Sequence, residues 1–302
     1  MLDLHMHSRM SDDGEFSPAE LVEKCRSAGI GFLSITDHNT LAAFPEAREA
    51  ARRLGVGYVS GVELDCVYEG CEFHLLGYGV RDRSGEFARM EAGLRDQCRA
   101  VSWEMLDKTR AFGFDVTAGE MERVSRNCSW EDRWTGEMFG EVILNRPDYA
   151  WHPLLRPYRP GGPRSDNPYV NFYWDFYAQG RPCHVPMMYP GMAELVERIH
   201  GNGGRAVLAH PGANLKGREA LLEGIFDLGV DGVEAFSSYH TPEQAADYAR
   251  RGRERGRFLS CGSDFHGRLK PAIALGRMTF PPQEDRAAIE AALMDALEGL
   301  AD

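Results

Sequence analysis

Apolar, strand-like segments alternate with amphipathic helical segments at both ends of this chain. The first alternation starts with strand-like residues 2–6, continues through a helix over 18–28 and reaches a third apolar segment at 56–62. The second begins near Met192 and ends in a helix over 284–297. Because parallel strands need long crossover connections, which are usually helices, this order predicts an α/β fold with a mainly parallel sheet.

Residues 84–190 interrupt this pattern. A long polar helix is followed by shorter helical pieces and by a stretch rich in proline, glycine and aromatic residues. Long loops in compact domains are usually functional or disordered, and the many aromatic residues favour an ordered lid. We therefore expect residues 1–83 and 191–302 to form one catalytic α/β barrel, and residues 84–190 to form an inserted lid of helices and loops.

Composition and charge narrow the range of functions. The 302 residues include 34 basic and 46 acidic side chains, which gives a formal charge of −12. This charge disfavours binding to nucleic-acid polymers, although a local positive site could hold a small anion. No apolar stretch reaches the ~20 residues of a membrane span, and no signal peptide is recognisable. The seven cysteines lack a CxxC pair, as is typical of free thiols, so we expect a cytoplasmic protein. Together with the charge and the lack of a long apolar stretch, this favours a small-molecule substrate and no membrane partner.

Histidines near the ends of predicted strands carry the main chemical signal. His5 and His7 are two residues apart on the first strand, so they point to the same side, and Asp264 and His266 repeat this spacing. Since parallel strands of an α/β barrel end at one face, we expect the candidates to converge there. The candidate metal ligands are His5, His7, Asp12, His38, Glu63, His74, His210, Asp264 and His266.

These ligand types favour a catalytic centre with more than one ion. Imidazole together with carboxylate suits Mn, Zn or Fe, and the lack of cysteine at these strand ends argues against a closed structural zinc site. One catalytic zinc needs only about three protein ligands, so this larger set, with one bridging carboxylate, suits two or three ions. Two ions about 3.5–4 Å apart can lower the pKa of a bridging water, and the resulting hydroxide is a strong nucleophile.

Five short motifs resemble those of the PHP (polymerase and histidinol phosphatase) family. They are His5-Met6-His7-Ser8 with Ser11-Asp12, Thr36-Asp37-His38, Gly61-Val62-Glu63, Ala209-His210-Pro211-Gly212 and Ser263-Asp264-Phe265-His266. In the insertion, Phe176–Pro186 is similar to a segment common in stand-alone PHP phosphoesterases. The chain departs from the family pattern by an extra acid, Asp13, and the spacing from His7 favours Asp12 over Asp13 as the ligand.

The resemblance implies a distorted (β/α)7 barrel, similar to a TIM barrel, that holds three divalent ions. Manganese is favoured, with zinc or iron as alternatives, and Asp37 would orient a ligand or a loop. By family analogy, the first ion takes His5, His7, Glu63 and Asp264, the second takes Glu63, His74 and His210, and the third takes Asp12, His38 and His266. Glu63 and Asp264 are therefore expected to be catalytic.

Five residues outside the ligand set are candidates for substrate contact. His240 could contact the substrate or donate a proton to the leaving group, or it could simply be a loop residue next to a helix cap. Arg181 and His184 could bind a second phosphate, or they could be solvated surface residues. Lys216 and Arg268 are similar candidates with weaker support.

The sequence favours a metal-dependent phosphatase or phosphodiesterase. Its substrate would be a small phosphorylated metabolite, such as a nucleoside bisphosphate, a ribose phosphate or a cyclic phosphate, and histidinol phosphate is an alternative. A metal-dependent amidohydrolase is a second class, but such enzymes usually bridge their metals with a modified lysine where Glu63 stands here. A non-catalytic PHP accessory protein of a polymerase is a third class.

Overall fold

The computed structural model describes residues 1–301, which form eight β-strands and eleven α-helices. The strands are β1 (Leu2–Asp3), β2 (Phe32–Leu33), β3 (Gly57–Tyr58), β4 (Gly61–Tyr68), β5 (Cys71–Tyr78), β6 (Arg205–Leu208), β7 (Gly232–Ser237) and β8 (Phe258–Gly262). The helices are α1 (Pro18–Ser27), α2 (Phe44–Leu54), α3 (Glu86–Ala111), α4 (Ala118–Ser125), α5 (Gly136–Leu144), α6 (Pro168–Phe176), α7 (Met192–Gly201), α8 (Pro211–Asn214), α9 (Leu221–Asp227), α10 (Pro242–Glu254) and α11 (Arg286–Ala296).

The strands form two sheets, with the orders β1-β2-β3 and β4-β5-β6-β7-β8. The first sheet is parallel, and so are the pairs β6–β7 and β7–β8. The pairs β4–β5 and β5–β6 are antiparallel. Only Glu69 and Gly70 separate β4 from β5, and both have positive φ angles, of 48° and 71°. A two-residue hairpin of this kind can join only antiparallel strands, so the sheet is less parallel than the sequence predicted.

Single β-bridges join the two sheets at the predicted ligands. Met6, between His5 and His7, pairs with Phe265, and His38 pairs with Glu63. The strands β1, β2 and β3 are two residues long each, so they form no extended ladder. The prediction of an α/β fold is confirmed, but residues 1–301 show two linked sheets and not a closed seven-stranded barrel.

Local signals in the sequence explain where the helices of the α/β part begin. Ser17 accepts a hydrogen bond from the Glu20 backbone N–H and forms a capping box at the start of α1. Thr241 does the same with Gln244 at the start of α10. Such caps satisfy backbone donors that have no partner inside the helix, and they confirm two helix starts predicted from the sequence.

The hydrophobic core is divided between the sheets and the insertion. One set of buried side chains packs the larger sheet against helices such as α7 and α10, and another packs α1 and α2 on the smaller sheet. A further cluster consists of residues from Leu94 to Met187 together with Leu269. The division into a barrel and an inserted lid stays a prediction. Within residues 1–301, no helix is both long and apolar enough for a membrane span.

The insertion is attached to the loops that follow β1 and β8. The backbone N–H of Ser129 donates a hydrogen bond of 2.8 Å to the carbonyl of Arg9. The Arg268 guanidinium binds the Glu141 carboxylate and the carbonyl of Val124. Because both loops also carry predicted ligands, these contacts place the insertion directly over the candidate site.

Candidate metal centre

His5, His7, Glu63 and Asp264 form a fully buried group, which we call cluster A. The Nε2 atom of His5 lies 3.0 Å from Glu63 Oε2 and 3.2 Å from Asp264 Oδ1. The Nε2 atom of His7 lies 3.1 Å from each of the same two oxygens. Ligands at 2.0–2.1 Å from a tetrahedral ion are about 3.3 Å apart, so these spacings fit four ligands of one small cation.

Hydrogen bonding fixes how the His5 ring faces cluster A. Its Nδ1 lies 3.0 Å from Oε1 of the buried Glu234, to which Nδ1–H donates. The Nε2 atom therefore faces two carboxylates, and it can offer its lone pair to a cation held between them. Consistently, the His5 and His7 Nε2 atoms, Glu63 Oε2 and Asp264 Oδ1 are buried and have no hydrogen-bond partner within the described residues.

Glu63, His74 and His210 form cluster B, in which the two rings approach Glu63 Oε1. His210 Nε2 and His74 Nδ1 each lie 2.9 Å from that oxygen. The other nitrogen of His210 is 2.7 Å from Asn214 Oδ1, and the other nitrogen of His74 is 3.1 Å from Asp65 Oδ1. With an ion bound, each ring can keep its proton on the nitrogen that faces away from Glu63 and offer its other nitrogen to the ion.

His7, Asp13, His38 and His266 form cluster C. His266 Nε2 lies 3.0 Å from Asp13 Oδ2, while His266 Nδ1–H donates to the backbone carbonyl of Asp264 over 2.9 Å. His38 Nε2 lies 3.6 Å from the same Asp13 oxygen. The Asp13 carboxylate therefore faces two imidazole nitrogens, and the donor set again fits a divalent ion.

The third cluster contains Asp13, not the Asp12 that the sequence favoured. The Asp12 carboxylate points away and accepts a 3.3 Å hydrogen bond from Arg133 Nε. Spacing relative to the family motif did not identify the ligand, because the chain after His7 turns back on itself and the turn decides which acid faces the histidines. Gly14 lies so close to that strand that a Cβ there would be 2.0 Å from the Ser8 carbonyl oxygen.

Asp37 lies behind the ligands, as expected for an orienting residue. Its carboxylate accepts hydrogen bonds of 2.6 Å from the Ser8 backbone N–H and 2.7 Å from the Ser8 hydroxyl. Burial raises the pKa of Asp37 to about 8, although both hydrogen bonds to Ser8 oppose this shift. Asp37 thus anchors the turn that brings Asp13 into cluster C.

His240 does not face the cleft as a proton donor, which corrects the role expected for it. Its side chain is only 4% exposed. Its Nδ1–H donates to the Ala235 carbonyl over 2.8 Å, and its Nε2 accepts the Gly212 N–H over 3.0 Å. Burial lowers the pKa of His240 to about 4. A neutral ring with both nitrogens occupied has no proton to give to a substrate.

The other four predicted substrate residues also lie outside the cleft that borders the clusters. His184, within the insertion, has its Nε2 3.2 Å from Glu72 Oε1. Lys216 lies over the Trp174 ring, and burial lowers its pKa to about 8. Arg268 is occupied by Glu141, and Arg181 is exposed. None of these four side chains lines the cleft, so the structure does not support them as phosphate contacts.

The cleft itself is bordered by charged residues that sequence reasoning missed. It holds about 830 Å³ of empty space including its open mouth, and Arg133, Glu137 and Lys270 line it. Lys270 Nζ is 2.8 Å from Asp264 Oδ2, while Arg133 Nη1 is buried and lacks a hydrogen-bond partner within residues 1–301. Periodicity gave no signal for any of them, because they lie in turns and at a helix start whose positions depend on tertiary packing.

Comparison with known proteins identifies the family. The PHP domain matches residues 3–143. Phosphoribosyl 1,2-cyclic phosphate 1,2-diphosphodiesterase of Eggerthella lenta is 30% identical over 275 residues, which cover 88% of this chain and 94% of that protein. The chain belongs to the PHP family. It is a metal-dependent phosphoesterase, and the recognition of the family from five short motifs is confirmed.

Other relatives and solved structures agree with this assignment. The 3',5'-nucleoside bisphosphate phosphatase of Chromobacterium violaceum is 28% identical over 88% of this PHP chain and 87% of that protein. The 5'-3' exoribonuclease Rnm of Salmonella typhimurium is 28% identical over 93% and 89%, respectively. A Chromobacterium violaceum structure described as an amidohydrolase has a TM-score of 0.77, with 24% identity and 96% of both chains covered. A metal-dependent phosphoesterase structure from Bifidobacterium adolescentis has a TM-score of 0.73, with 23% identity over 98% of this chain and 95% of that chain, so both share the fold.

Proposed function

We propose that this PHP phosphoesterase hydrolyses a small phosphorylated metabolite at a site of three divalent ions, with manganese favoured. The observation that carries the proposal is the set of imidazole nitrogens that converge on carboxylates in clusters A, B and C, several of them buried and without a hydrogen-bond partner within residues 1–301. When bound, such ions supply a water of lowered pKa as the nucleophile and neutralise the phosphoryl oxygens. Asp13 takes the place that the sequence gave to Asp12.

Glu63 is the residue on which this arrangement depends most. Its Oε2 faces His5 and His7 in cluster A, and its Oε1 faces His74 and His210 in cluster B. A single carboxylate can therefore bridge two ions, and Glu63 is fully buried, so water does not compete for its oxygens. Asp264 completes cluster A and is held by Lys270 through its other oxygen.

Arg133 and Lys270 are the cations available to an anionic substrate. The Arg133 guanidinium is tied to Asp12 through Nε only, which leaves the buried Nη1 without a partner in the described chain. A guanidinium binds phosphate through two parallel hydrogen bonds, so Arg133 suits a second phosphate at the mouth of the cleft. Because Lys270 contacts Asp264, it suits the phosphate that is hydrolysed.

The walls of the cleft suit a nucleoside or ribosyl group. Tyr173, Trp174, Tyr189 and Tyr239 line it together with the metal-binding side chains. Aromatic rings stack on nucleobases and on sugar faces, whereas the two charged groups hold the phosphates. A nucleoside bisphosphate, a ribose phosphate or a cyclic ribose phosphate therefore fits this site better than histidinol phosphate.

A screen of phosphorylated metabolites tests the proposal. Protein loaded with Mn²⁺ is incubated with nucleoside bisphosphates, ribose phosphates, cyclic phosphates and histidinol phosphate, and released phosphate or ring-opened product is measured. We expect turnover of at least one nucleotide or ribosyl substrate and none by a Glu63→Gln variant. The proposal would be wrong if the metal-loaded protein cleaved no phosphate ester, or if it hydrolysed amide substrates instead.

Removal of the terminal 5' nucleotide from short RNA is a second candidate function. The relatives named 5'-3' exoribonuclease align with nearly the whole chain. The nucleotide at the end of an RNA carries a phosphate and a base, as a nucleoside bisphosphate does. The charge of −12 opposes binding of a long strand, so we expect dinucleotides to be cleaved faster than long oligonucleotides. A rate that rises with RNA length would favour the exoribonuclease function.

A further inference from the structure

Glu137 is an acid of the insertion that faces the candidate metal centre. It is the second residue of α5, follows the helix cap Thr135 and lines the same cleft as Asp13 and Asp264. Gly136 fixes its position, because a Cβ at Gly136 would lie 2.7 Å from atoms of Tyr173 and Tyr177 on the neighbouring segment. The first turn of α5 is thus packed directly against that segment and holds Glu137 over the centre.

The carboxyl group of Glu137 has no partner among other residues. Glu137 is only 9% exposed, yet within residues 1–301 no hydrogen bond or ion pair joins its carboxylate to another residue. The charged groups that affect it most are Lys270, Asp13 and His266, in that order. Its carboxylate accepts from its own backbone N–H. Buried acids without a partner residue cost stability and are concentrated at functional sites.

The remaining acids of the cleft are all engaged. Asp65 accepts from Asn39 and lies against His74, and Glu72 lies against His184. The other three pairs are Asp12 with Arg133, Asp13 with His266 and Asp264 with Lys270. Among the acids that line the cleft, Glu137 alone is free to contact a substrate through its carboxyl group.

We infer that Glu137 donates a proton to the leaving oxygen during phosphate ester hydrolysis, an inference that rests on the proposed function. It fills the role that the sequence assigned to His240 and that the hydrogen bonds of His240 exclude. Water adds to phosphorus, the bond between phosphorus and the leaving oxygen breaks, and the Glu137 carboxyl proton passes to that oxygen. The products are an alcohol and inorganic phosphate. The attacking water loses one proton to solvent, and Glu137 takes up one proton from solvent, which restores its acid form.

Proton donation matters most for leaving groups that are poor as anions. A sugar hydroxyl leaves badly as an alkoxide, whereas 4-nitrophenol leaves well without a proton. General acids contribute about 10²- to 10⁴-fold to such reactions. Burial also raises the pKa of Glu137, which favours the acid form, while Lys270 opposes that shift.

The test compares leaving groups in a Glu137→Gln variant. Values of kcat/KM are measured on Mn²⁺-loaded protein for 4-nitrophenyl phosphate, phenyl phosphate and an alkyl or ribosyl monophosphate. We expect a roughly 10²-fold or larger loss on the alkyl or ribosyl ester and little loss on 4-nitrophenyl phosphate. Manganese content and thermal unfolding are measured on the same samples, and we expect both to match the wild type.

The matched control is Glu141→Gln, one turn further along α5, which removes an ion pair to Arg268 but does not line the cleft. Its dependence on the leaving group should equal that of the wild type. Equal losses on all three esters, or no loss on any, in the folded and metal-loaded Glu137→Gln variant would overturn the inference. If the wild type itself cleaved no phosphate ester, the proposed function would fail instead, so the two failures are distinguishable.

Discussion

The cleft has a floor, formed by the residues of clusters A, B and C, and a rim, formed by side chains of the insertion. The side chains of the two regions are held in place in different ways. In the floor, most ligand rings are held by a second hydrogen bond, as His5 is by Glu234 and His210 by Asn214. At the rim, Arg133 and Glu137 come from the insertion; within residues 1–301 Arg133 Nη1 has no hydrogen-bond partner, and the Glu137 carboxylate has none on another residue. The contrast suggests that the floor determines the reaction and that the rim determines which phosphate ester is accepted. Changes in the two regions should therefore have different kinetic signatures.

The largest effect is expected at Glu63 in the floor. Replacement of Glu63 by Gln removes the charge that two clusters share, and a neutral amide bridges cations poorly. We expect turnover to fall by more than about 10³-fold on every substrate, together with the loss of metal measured by elemental analysis. Glu69→Gln, in the hairpin between β4 and β5, is the control and should keep both its turnover and its metal content. Full metal content in Glu63→Gln would contradict the role of Glu63 as a bridge.

A smaller effect is expected behind the floor at Glu234. This buried carboxylate accepts from His5 Nδ1 and from the His210 backbone N–H, over 3.0 and 2.7 Å. In Glu234→Gln the amide can no longer accept at both positions, so His5 loses its orientation. Loss of such supporting groups typically costs about 10- to 100-fold in metal affinity. Titration of the metal-free variant with Mn²⁺ measures this change, and an unchanged dissociation constant would show that His5 needs no such support.

At the rim, Arg133→Ala should change substrate preference and leave the chemical step intact. A hydrogen bond to a charged group is worth about 1.5–3 kcal/mol, so KM for a bisphosphate should rise roughly 10- to 100-fold. A simple monoester should be affected much less. Arg181→Ala removes an exposed arginine that does not line the cleft and should change neither value. Equal losses on both substrate types in Arg133→Ala would remove Arg133 from the binding of a second phosphate.

The smallest effect is expected at His240, which affects stability and not catalysis. Burial lowers its pKa from 6.5 to about 4, so the unfolded state binds a proton more readily than the folded state. The stability that His240 contributes is complete above pH 6.5 and is lost as the pH falls toward 4. Between pH 7.5 and 5.5 the loss should be about 1 kcal/mol. Urea unfolding of the wild type and of His240→Gln at both pH values tests this. Between these pH values, the free energy of unfolding of the variant should fall by about 1 kcal/mol less than that of the wild type.

Most of the floor could be predicted from the sequence. His5 and His7 share one face because extended chain repeats every two residues, and His210 follows the apolar strand β6. Glu63, expected at the end of a strand, instead lies inside β4. Comparison with the family motif favoured Asp12 in the third cluster, where the structure places Asp13. Between His7 and Asp13 the chain forms a turn, in which side chains no longer alternate, so spacing could not distinguish Asp12 from Asp13.

The rim could not be predicted because no periodic pattern determines it. Arg133 and Glu137 lie on either side of a helix cap in the insertion, and they reach the cleft only because α5 packs against α6. The sequence therefore pointed to Arg181 and His184, which have suitable chemistry but lie outside the cleft. An α/β barrel was expected from the alternation of strands and helices and from the resemblance to the PHP family, whereas the hairpin at Glu69 and Gly70 makes part of the larger sheet antiparallel.

Anomalous diffraction from crystals grown with Mn²⁺ is the most direct test of the proposal that this floor binds metal. We predict peaks between His5 and Asp264, between His74 and His210, and between Asp13 and His266, with Glu63 as a ligand of the first two. A map without manganese at these positions, from protein that still hydrolyses phosphate esters, would contradict the proposal.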